Sequence, residues 1–286
     1  MKKKKRNVYR GHKDRLFCDL FSYKENALSL YNAINGTNYE NVDELKIVTL
    51  TDVVYLTMKN DAAVCFQGKQ DLWEQQSSVN ENMPLRGLMY FAREYEGWLA
   101  VNEKDIYGEK MVKIPTPGFY VLYNGSKPMP ERKEYRLSDA FETFVPGYEW
   151  TAYMININAG YNENLMERCT PLKGYSQLIE SIRQNQKQGL GLEEAVNSAI
   201  DQCIEKDILK SYLLKNKGEV MSMILTEYNE KLHNKTLREE GRAEGHEQGL
   251  LDAGNILRLH FAGKSANEIS EMTGVRLEVI EKLLDF

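Results

Sequence analysis

Cysteine and histidine are scarce in this 286-residue sequence, which contains four of each. The cysteines form no C-x-x-C pair and the histidines have no spacing typical of metal ligands, so the sequence supports neither a zinc knuckle nor a disulfide framework. No apolar run approaches the roughly 20 residues that a membrane-spanning helix needs. No apolar segment follows the basic N-terminus, so no secretory signal is predicted. We expect a protein of the reducing cytoplasm, without membrane contacts.

Apolar residues make up 42% of the sequence and charged residues 28%, which is typical of a packed, soluble protein. The length suits one medium domain with an appendage, or two domains. The net charge of −5 is not typical of a protein that coats DNA, yet residues 1–24 contain nine lysines and arginines against two aspartates. This basic arm either contacts phosphates beside a site or is a solubilising tail, and the sequence leaves both open.

Residues 61–86, DAAVCFQGKQDLWEQQSSVNENMPLR, carry the most informative pattern. They predict strands at 62–66 and 72–77, separated by a turn around Gly68. Because side chains alternate along a strand, Glu74 and Gln76 are predicted to project from the same face. If the two strands pair, Asp61 can come close to Glu74. Two converging carboxylates repel each other unless a cation lies between them, and oxygen ligands suit Mg²⁺ or Mn²⁺.

The order Asp61, then Glu74-x-Gln76, resembles the D…(E/D)-x-K motif of PD-(D/E)XK nucleases, with Gln in the place of Lys. The flanking segments resemble the recombination-promoting nuclease (Rpn) family, which is transposase-like. The strings that carry this resemblance are KND at 59–61, EQQS at 74–77, N-x-NMPLR at 80–86, KD-x-x-F at 13–17, LYNAINGT at 30–37, IP-x-P at 114–117, LYNG at 122–125 and LSD at 137–139. The resemblance covers residues 9–230.

The resemblance implies an α/β protein: a mixed sheet flanked by helices, in the order αβββαβ. It implies a DNA endonuclease that depends on Mg²⁺ (or Mn²⁺) and is linked to recombination or mobile elements. In that role Asp61 and Glu74 hold the metal, and Gln76 orients the attacking water by a hydrogen bond. Asp14 is the expected accessory acid, with Asp19 and Glu25 as nearby alternatives. The alternative function is a catalytically silent DNA-binding or regulatory, oligomerising protein that keeps the fold.

A helix is predicted at residues 83–99, with Pro84 in its first turn. From this helix Arg86 and Arg93 are candidates to bind phosphate, while Arg86 has the alternative of pairing with Glu74. The residues expected to form the buried face of the helix are Leu85, Leu88, Met89, Ala92 and Tyr95.

Other elements are predicted from periodicity and turn residues. A single helix is expected at 16–35. Strands are expected at 47–50, 53–56, 111–114, 120–123 and 150–158, with a polar loop at 126–136. The predicted organisation is a basic arm (1–8), a nuclease core (9–160), a helical section (161–230), a glycine- and glutamate-rich helix or linker (231–252) and a three-helix segment (253–286).

The tail carries glycines at 241, 245 and 249. Because each glycine costs a helix about 1 kcal/mol, the segment is either a linker or a helix that a partner supports. Beyond it, Ser265 and Glu268 form a predicted capping box in a segment that resembles a helix-turn-helix. Its last helix has three acids and one lysine, which disfavours the reading of DNA bases. We therefore predict a homodimer formed through this tail.

Overall fold

The computed structural model describes residues 15–48 and 62–284, which form a mixed α/β protein with one six-stranded sheet. Its strands are β1 (Lys46–Val48), β2 (Ala62–Phe66), β3 (Lys69–Gln76), β4 (Thr116–Tyr123), β5 (Arg132–Arg136) and β6 (Thr151–Asn156). Its helices are α1 (Arg15–Leu20), α2 (Lys24–Asn35), α3 (Met83–Val101), α4 (Glu163–Arg168), α5 (Thr170–Lys187), α6 (Leu192–Glu205), α7 (Lys210–Phe261), α8 (Ala266–Thr273) and α9 (Leu277–Leu284), with a 3₁₀ turn at Leu137–Ala140.

The order of strands across the sheet is β1-β2-β3-β4-β6-β5. The first three strands are antiparallel neighbours, β3, β4 and β6 run parallel, and β5 returns antiparallel to β6. Strand β3 thus lies where the antiparallel half of the sheet meets the parallel half. The chain between β3 and β4 contains α3, as a connection between parallel strands requires.

The β2–β3 hairpin is confirmed, and its turn explains its register. Gln67 and Gly68 both have positive φ, 49° and 72°, which matches the two-residue turns that suit the twist of a hairpin. Ala62 therefore pairs with Trp73 and Phe66 with Lys69. Several predicted features lie outside the described residues: the strand at 53–56, residues 49–50 of the strand at 47–50, Asp61 and Asp14.

The two faces of the sheet are covered by different helices. One face, which we call the α3 face, packs around Tyr90 and Phe91 of α3, together with Phe119 and Val121 of β4. The opposite face, which we call the α2 face, includes Trp73, whose ring lies 6.4 Å from that of Phe21. It also includes Phe66, in an edge contact with Tyr31 of α2 at 5.1 Å. Side chains of β3 alternate between the two faces.

The single helix expected at residues 16–35 is wrong, because the structure has two helices, α1 and α2. Side chains bond to the backbone carbonyls at the end of α1: Ser22 Oγ donates to Asp19 O at 2.6 Å, and Asn26 Nδ2 donates to Leu20 O at 2.7 Å. Such local bonds compete with helix continuation. The second helix ends before Gly36, as predicted.

The expected strand at 111–114 is also wrong. Met111 is 80% exposed and Ile114 47% exposed, and the described chain there pairs with no strand. Apolar, β-prone residues do not form a strand without a neighbour to pack and pair with. Strand β4 instead begins at Thr116, whose N–H donates to Gly68 O at 2.8 Å, and it continues through Pro117 and Gly118 to Tyr123.

The expected loop at 126–136 contains strand β5, which pairs with β6 at the edge of the sheet. Of its five residues only Tyr135 is buried. Charged side chains are common on an edge strand, where they discourage pairing with other chains. The same polarity makes the strand resemble a loop in the sequence.

The buried face of α3 differs from the prediction. Leu85, Leu88 and Met89 are 38–46% exposed, whereas the buried residues are Met83, Pro84, Gly87, Tyr90 and Phe91. Gly87 explains the difference, because a Cβ there would lie 2.4 Å from Phe119 Cδ1 and 2.8 Å from Trp150 Nε1. The absence of a side chain lets this side of the helix approach the sheet.

The chain divides into two compact units, Met1–Glu227 and Tyr228–Phe286. In the second unit the end of α7 packs with α8 and α9 around Ile256, Ile269 and Ile280. The predicted capping box is confirmed: Ser265 Oγ accepts from Glu268 N, and the Glu268 carboxylate accepts from Ser265 N at 2.9 Å. Residues 231–252 lie within α7 and are helical, while the support of this helix by a partner stays a prediction. No described helix is both long and apolar enough to cross a membrane.

Candidate active site

Glu74 is the centre of the candidate site, and its position follows from the alternation of β3. Its side chain lies on the α3 face and is 0% exposed, although it ends in a carboxylate. Gln76, two residues further along the strand, donates from Nε2 to Glu74 Oε1 at 2.5 Å. The prediction that these two side chains share one face is therefore confirmed.

Arg86, in the first turn of α3, forms an ion pair with Glu74 through Nη2 and Oε1. The pairing that the sequence offered as an alternative is therefore present. Arg86 also donates from Nε and Nη2 to Tyr90 Oη, at 3.0 and 2.8 Å. Its side chain is 28% exposed. A buried carboxylate is costly unless it is paired and hydrogen-bonded, and Arg86 and Gln76 supply both conditions at Oε1 of Glu74.

Of the other predicted site residues, only Arg93 lies in the described part of the chain. Asp61 and Asp14 lie outside the described residues. Ala62, the residue after Asp61 in the sequence, pairs with Trp73, the residue before Glu74. Arg93 lies on α3, but among the described residues no hydrogen bond or ion pair joins it to Glu74 or Gln76, and its buried Nη1 has no hydrogen-bond partner there.

A second buried carboxylate lies on the α2 face of the same strand and was missed in the sequence. Asp71 is 1% exposed and accepts a hydrogen bond from Asn35 Nδ2 at 2.7 Å. Lys69 Nζ donates to Asn35 Oδ1 at 3.0 Å. Burial raises the pKa of Asp71 to about 6, and the Asn35 hydrogen bond and the charge of Lys69 oppose this shift. Its signal in the sequence is an aspartate inside a strand, where this residue is rare.

A third acid, Glu94 of α3, lies near the amino end of β3 on the α3 face. Gln70 Nε2 donates to Glu94 Oε2 at 2.9 Å. Burial raises the pKa of Glu94, and the bond from Gln70 opposes that shift. The α3 face of β3 therefore carries Gln70, Glu74 and Gln76, each bonded to a partner.

Metal binding at this site would depend on the carboxylate of Glu74. Among residues 15–48 and 62–284, no group of three or more His, Cys, Asp or Glu side chains is arranged to hold one. Mg²⁺, however, is commonly held by one or two carboxylates together with waters and substrate phosphates. The carboxylate of Glu74 fits that donor chemistry, and Arg86 competes with a cation for it.

Comparisons of the chain with protein-family models, with curated proteins and with solved structures found no match.

Proposed function

We propose that this chain is a metal-dependent DNA endonuclease of the PD-(D/E)XK class, similar to the Rpn family. The observation that carries the proposal is the joined pair Glu74 and Gln76 on β3. The order of elements supports it: helices, then the antiparallel strands β1–β3, then α3, then the parallel strand β4. This is the order that the resemblance implies. The proposed setting is recombination or mobile elements.

In the proposed reaction Glu74 and Asp61 would hold Mg²⁺ or Mn²⁺, with Asp14 as an accessory acid. A bound divalent ion would make its water more acidic and offset the charge on the phosphate. Gln76 donates a hydrogen bond and therefore orients an oxygen without adding charge. Arg86 is the cation that neutralises Glu74. Contacts of Arg86 and Arg93 with the substrate phosphate stay predictions.

A matched pair of variants tests the proposal in a plasmid-nicking assay with Mg²⁺. Glu74→Gln should lower the nicking rate by about a hundredfold or more, because loss of a metal ligand exceeds the effect of a residue that only orients one. Asp61→Ala should do the same. Glu94→Gln, which changes a half-buried carboxylate on the same face, should leave the rate within about threefold of wild type. Titration calorimetry with Mn²⁺ should show weaker binding to Glu74→Gln than to Glu94→Gln.

Equal nicking by wild type and Glu74→Gln would remove Glu74 from the site. If wild type neither nicks DNA nor binds Mn²⁺, the second candidate function stands instead: a catalytically silent DNA-binding or regulatory protein. One observation favours that candidate: Arg86 already provides the positive charge beside Glu74 that a metal ion would otherwise supply.

For the quaternary structure we propose a homodimer through the tail, with DNA as the other partner. Gly241, Gly245 and Gly249 have no atom within 4 Å of an added Cβ, so a second helix has room to approach there. Leu250 and Leu251 are 63% and 64% exposed on the same helix. Replacing both leucines by lysine should halve the mass in light scattering, whereas Leu214→Lys, at a site 61% exposed, should not. An unchanged mass would contradict a tail dimer.

The proposed compartment is the reducing cytoplasm. Cys65, Cys169 and Cys203 are free thiols. Burial raises the pKa of Cys169 and of Cys203 to about 11 in each case, which makes these two thiols poorly reactive.

A further inference from the structure

A cavity of about 760 Å³ lies at the ends of β4 and β6. Residues 125–129, which follow β4, form one wall, and Asn156 at the end of β6 with Asn158 forms another. Arg183 and Lys187 of α5 complete it. In open α/β sheets, ligands bind outside the carboxyl ends of parallel strands, which is where this cavity lies. Its volume is within the usual range for ligand sites.

The charged residues that line the cavity are mainly basic: Lys127, Arg183 and Lys187 against Glu180. Arg183 is held in place by two hydrogen bonds. Its Nη1 donates to Asn158 Oδ1 at 3.1 Å, and its Nη2 donates to Asn124 O at 2.5 Å. These bonds fix the plane of a group that has five N–H donors and that matches phosphate geometry.

The cavity is connected to the candidate active site through Asn124. The N–H of Asn124 donates to Gln76 O at 2.9 Å, while its carbonyl accepts from Arg183. Its side-chain amide is buried and has no hydrogen-bond partner among the described residues, which is unusual for a buried polar group. Arg183 and the strand that carries Glu74 therefore bind the same residue, Arg183 at its carbonyl and the strand at its N–H.

We propose that this cavity binds a phosphate group, held by Arg183 with Lys127 and Lys187. The phosphate belongs either to a DNA strand or to a free nucleotide. If the phosphate belongs to a DNA strand, the proposal rests on the proposed nuclease function, and the cavity gives that site a second contact with its substrate. If the phosphate belongs to a free nucleotide, the proposal does not depend on cleavage.

The test measures binding to the full chain without added metal, so that no cleavage occurs. One probe is a fluorescein-labelled single-stranded DNA oligonucleotide, followed by anisotropy across a range of salt concentrations. The other is thymidine monophosphate, followed by calorimetry. The variant Lys127→Gln/Lys187→Gln changes two exposed side chains, so the fold is retained. Lys206→Gln, an exposed lysine outside the cavity lining, is the matched control.

For a strand, the double variant should bind the oligonucleotide more weakly. The slope of log affinity against log salt should become shallower by about 1.4, since each phosphate contact to a single strand contributes about 0.7. For a nucleotide, binding of thymidine monophosphate should weaken in the double variant while the oligonucleotide slope stays unchanged. Arg183→Gln removes one cation, so it should weaken binding of the same probe, and for a strand it should make the slope shallower by about 0.7.

If both probes bind the double variant and Arg183→Gln as tightly as they bind wild type, the phosphate site is wrong. The outcome is separable from that of the nuclease proposal. If these variants bind more weakly but wild type never nicks DNA, the phosphate-site proposal is supported and the nuclease proposal is contradicted. If nicking depends on Glu74 but these variants bind as tightly as wild type, the nuclease proposal is supported and the phosphate-site proposal is contradicted.

Discussion

Strand β3 buries a carboxylate on each face of the sheet, and the two faces accommodate them differently. On the α3 face, Glu74 is paired with the full positive charge of Arg86. On the α2 face, Asp71 is bonded to the neutral amide of Asn35, with Lys69 bonded to that amide rather than to the acid. The first arrangement makes stability depend on an ion pair, while the second makes it depend on pH.

The largest effect expected from this comparison is on the α3 face. Arg86→Met should lower the free energy of unfolding by about 3 kcal/mol, because a buried carboxylate loses its cation. Urea denaturation at neutral pH measures the loss. Arg136→Met is the control: Arg136 pairs with Glu134 at 3.3 Å, but both side chains are more than half exposed, so a change of at most about 1 kcal/mol is expected. Equal losses in the two variants would mean that the burial of Glu74 gives its ion pair no special weight.

A smaller effect is expected from crowding on the α2 face. Gly118 pairs with Asp71 across β3 and β4, and a Cβ at Gly118 would lie 2.4 Å from Asp71 Oδ1 and 2.8 Å from Tyr120 Cε2. Gly118→Ala should therefore cost about 2 kcal/mol of stability in urea denaturation. Gly97→Ala is the control, since nothing lies within 4 Å of a Cβ added at Gly97. Because alanine favours a helix more than glycine does, this control should increase stability, by at most about 1 kcal/mol. A Gly118→Ala variant as stable as wild type would show that Asp71 has room to move.

The smallest effect is the pH dependence that Asp71 produces. Its pKa is raised from 3.8 to about 6 in the folded chain, so the folded state binds more protons than the unfolded state between these values. The contribution of Asp71 to stability therefore rises as the pH falls through this window. Between pH 7.5 and pH 5, the free energy of unfolding of wild type should increase by about 1.4 kcal/mol more than that of Asp71→Asn. Urea denaturation of both proteins at both pH values checks this, and a constant difference between them would mean that Asp71 titrates at its ordinary pKa.

The sequence predicted those parts of the site that depend on local pattern. The β2–β3 hairpin follows from its turn around Gly68, and the common face of Glu74 and Gln76 follows from alternation along one strand. The start of α3 follows from Pro84 in its first turn. Each of these features is determined within a few residues of the chain.

The remaining features depend on contacts that are distant in sequence. The buried side of α3 is determined by Gly87 against Phe119 and Trp150, which the apolar pattern of the helix alone does not reveal. Asp71 has polar neighbours in the sequence, Lys69 and Gln70, and becomes buried only when Asn35 and β4 close around it. Strand β5 is polar because it lies at an edge, so its composition matched that of a loop.

The position of β3 between the antiparallel and parallel halves of the sheet also orders the events of synthesis. The β2–β3 hairpin and the Glu74–Arg86 pair join residues that are close in sequence, so their loops close at little entropic cost. The parallel neighbours need long connections, and β6, which ends at Asn156, is the last strand to arrive. A nascent chain can therefore neutralise Glu74 as soon as α3 has emerged from the ribosome. The region in which Asn124 bonds to both Gln76 and Arg183 is completed only after α5 has been synthesised, about a hundred residues later.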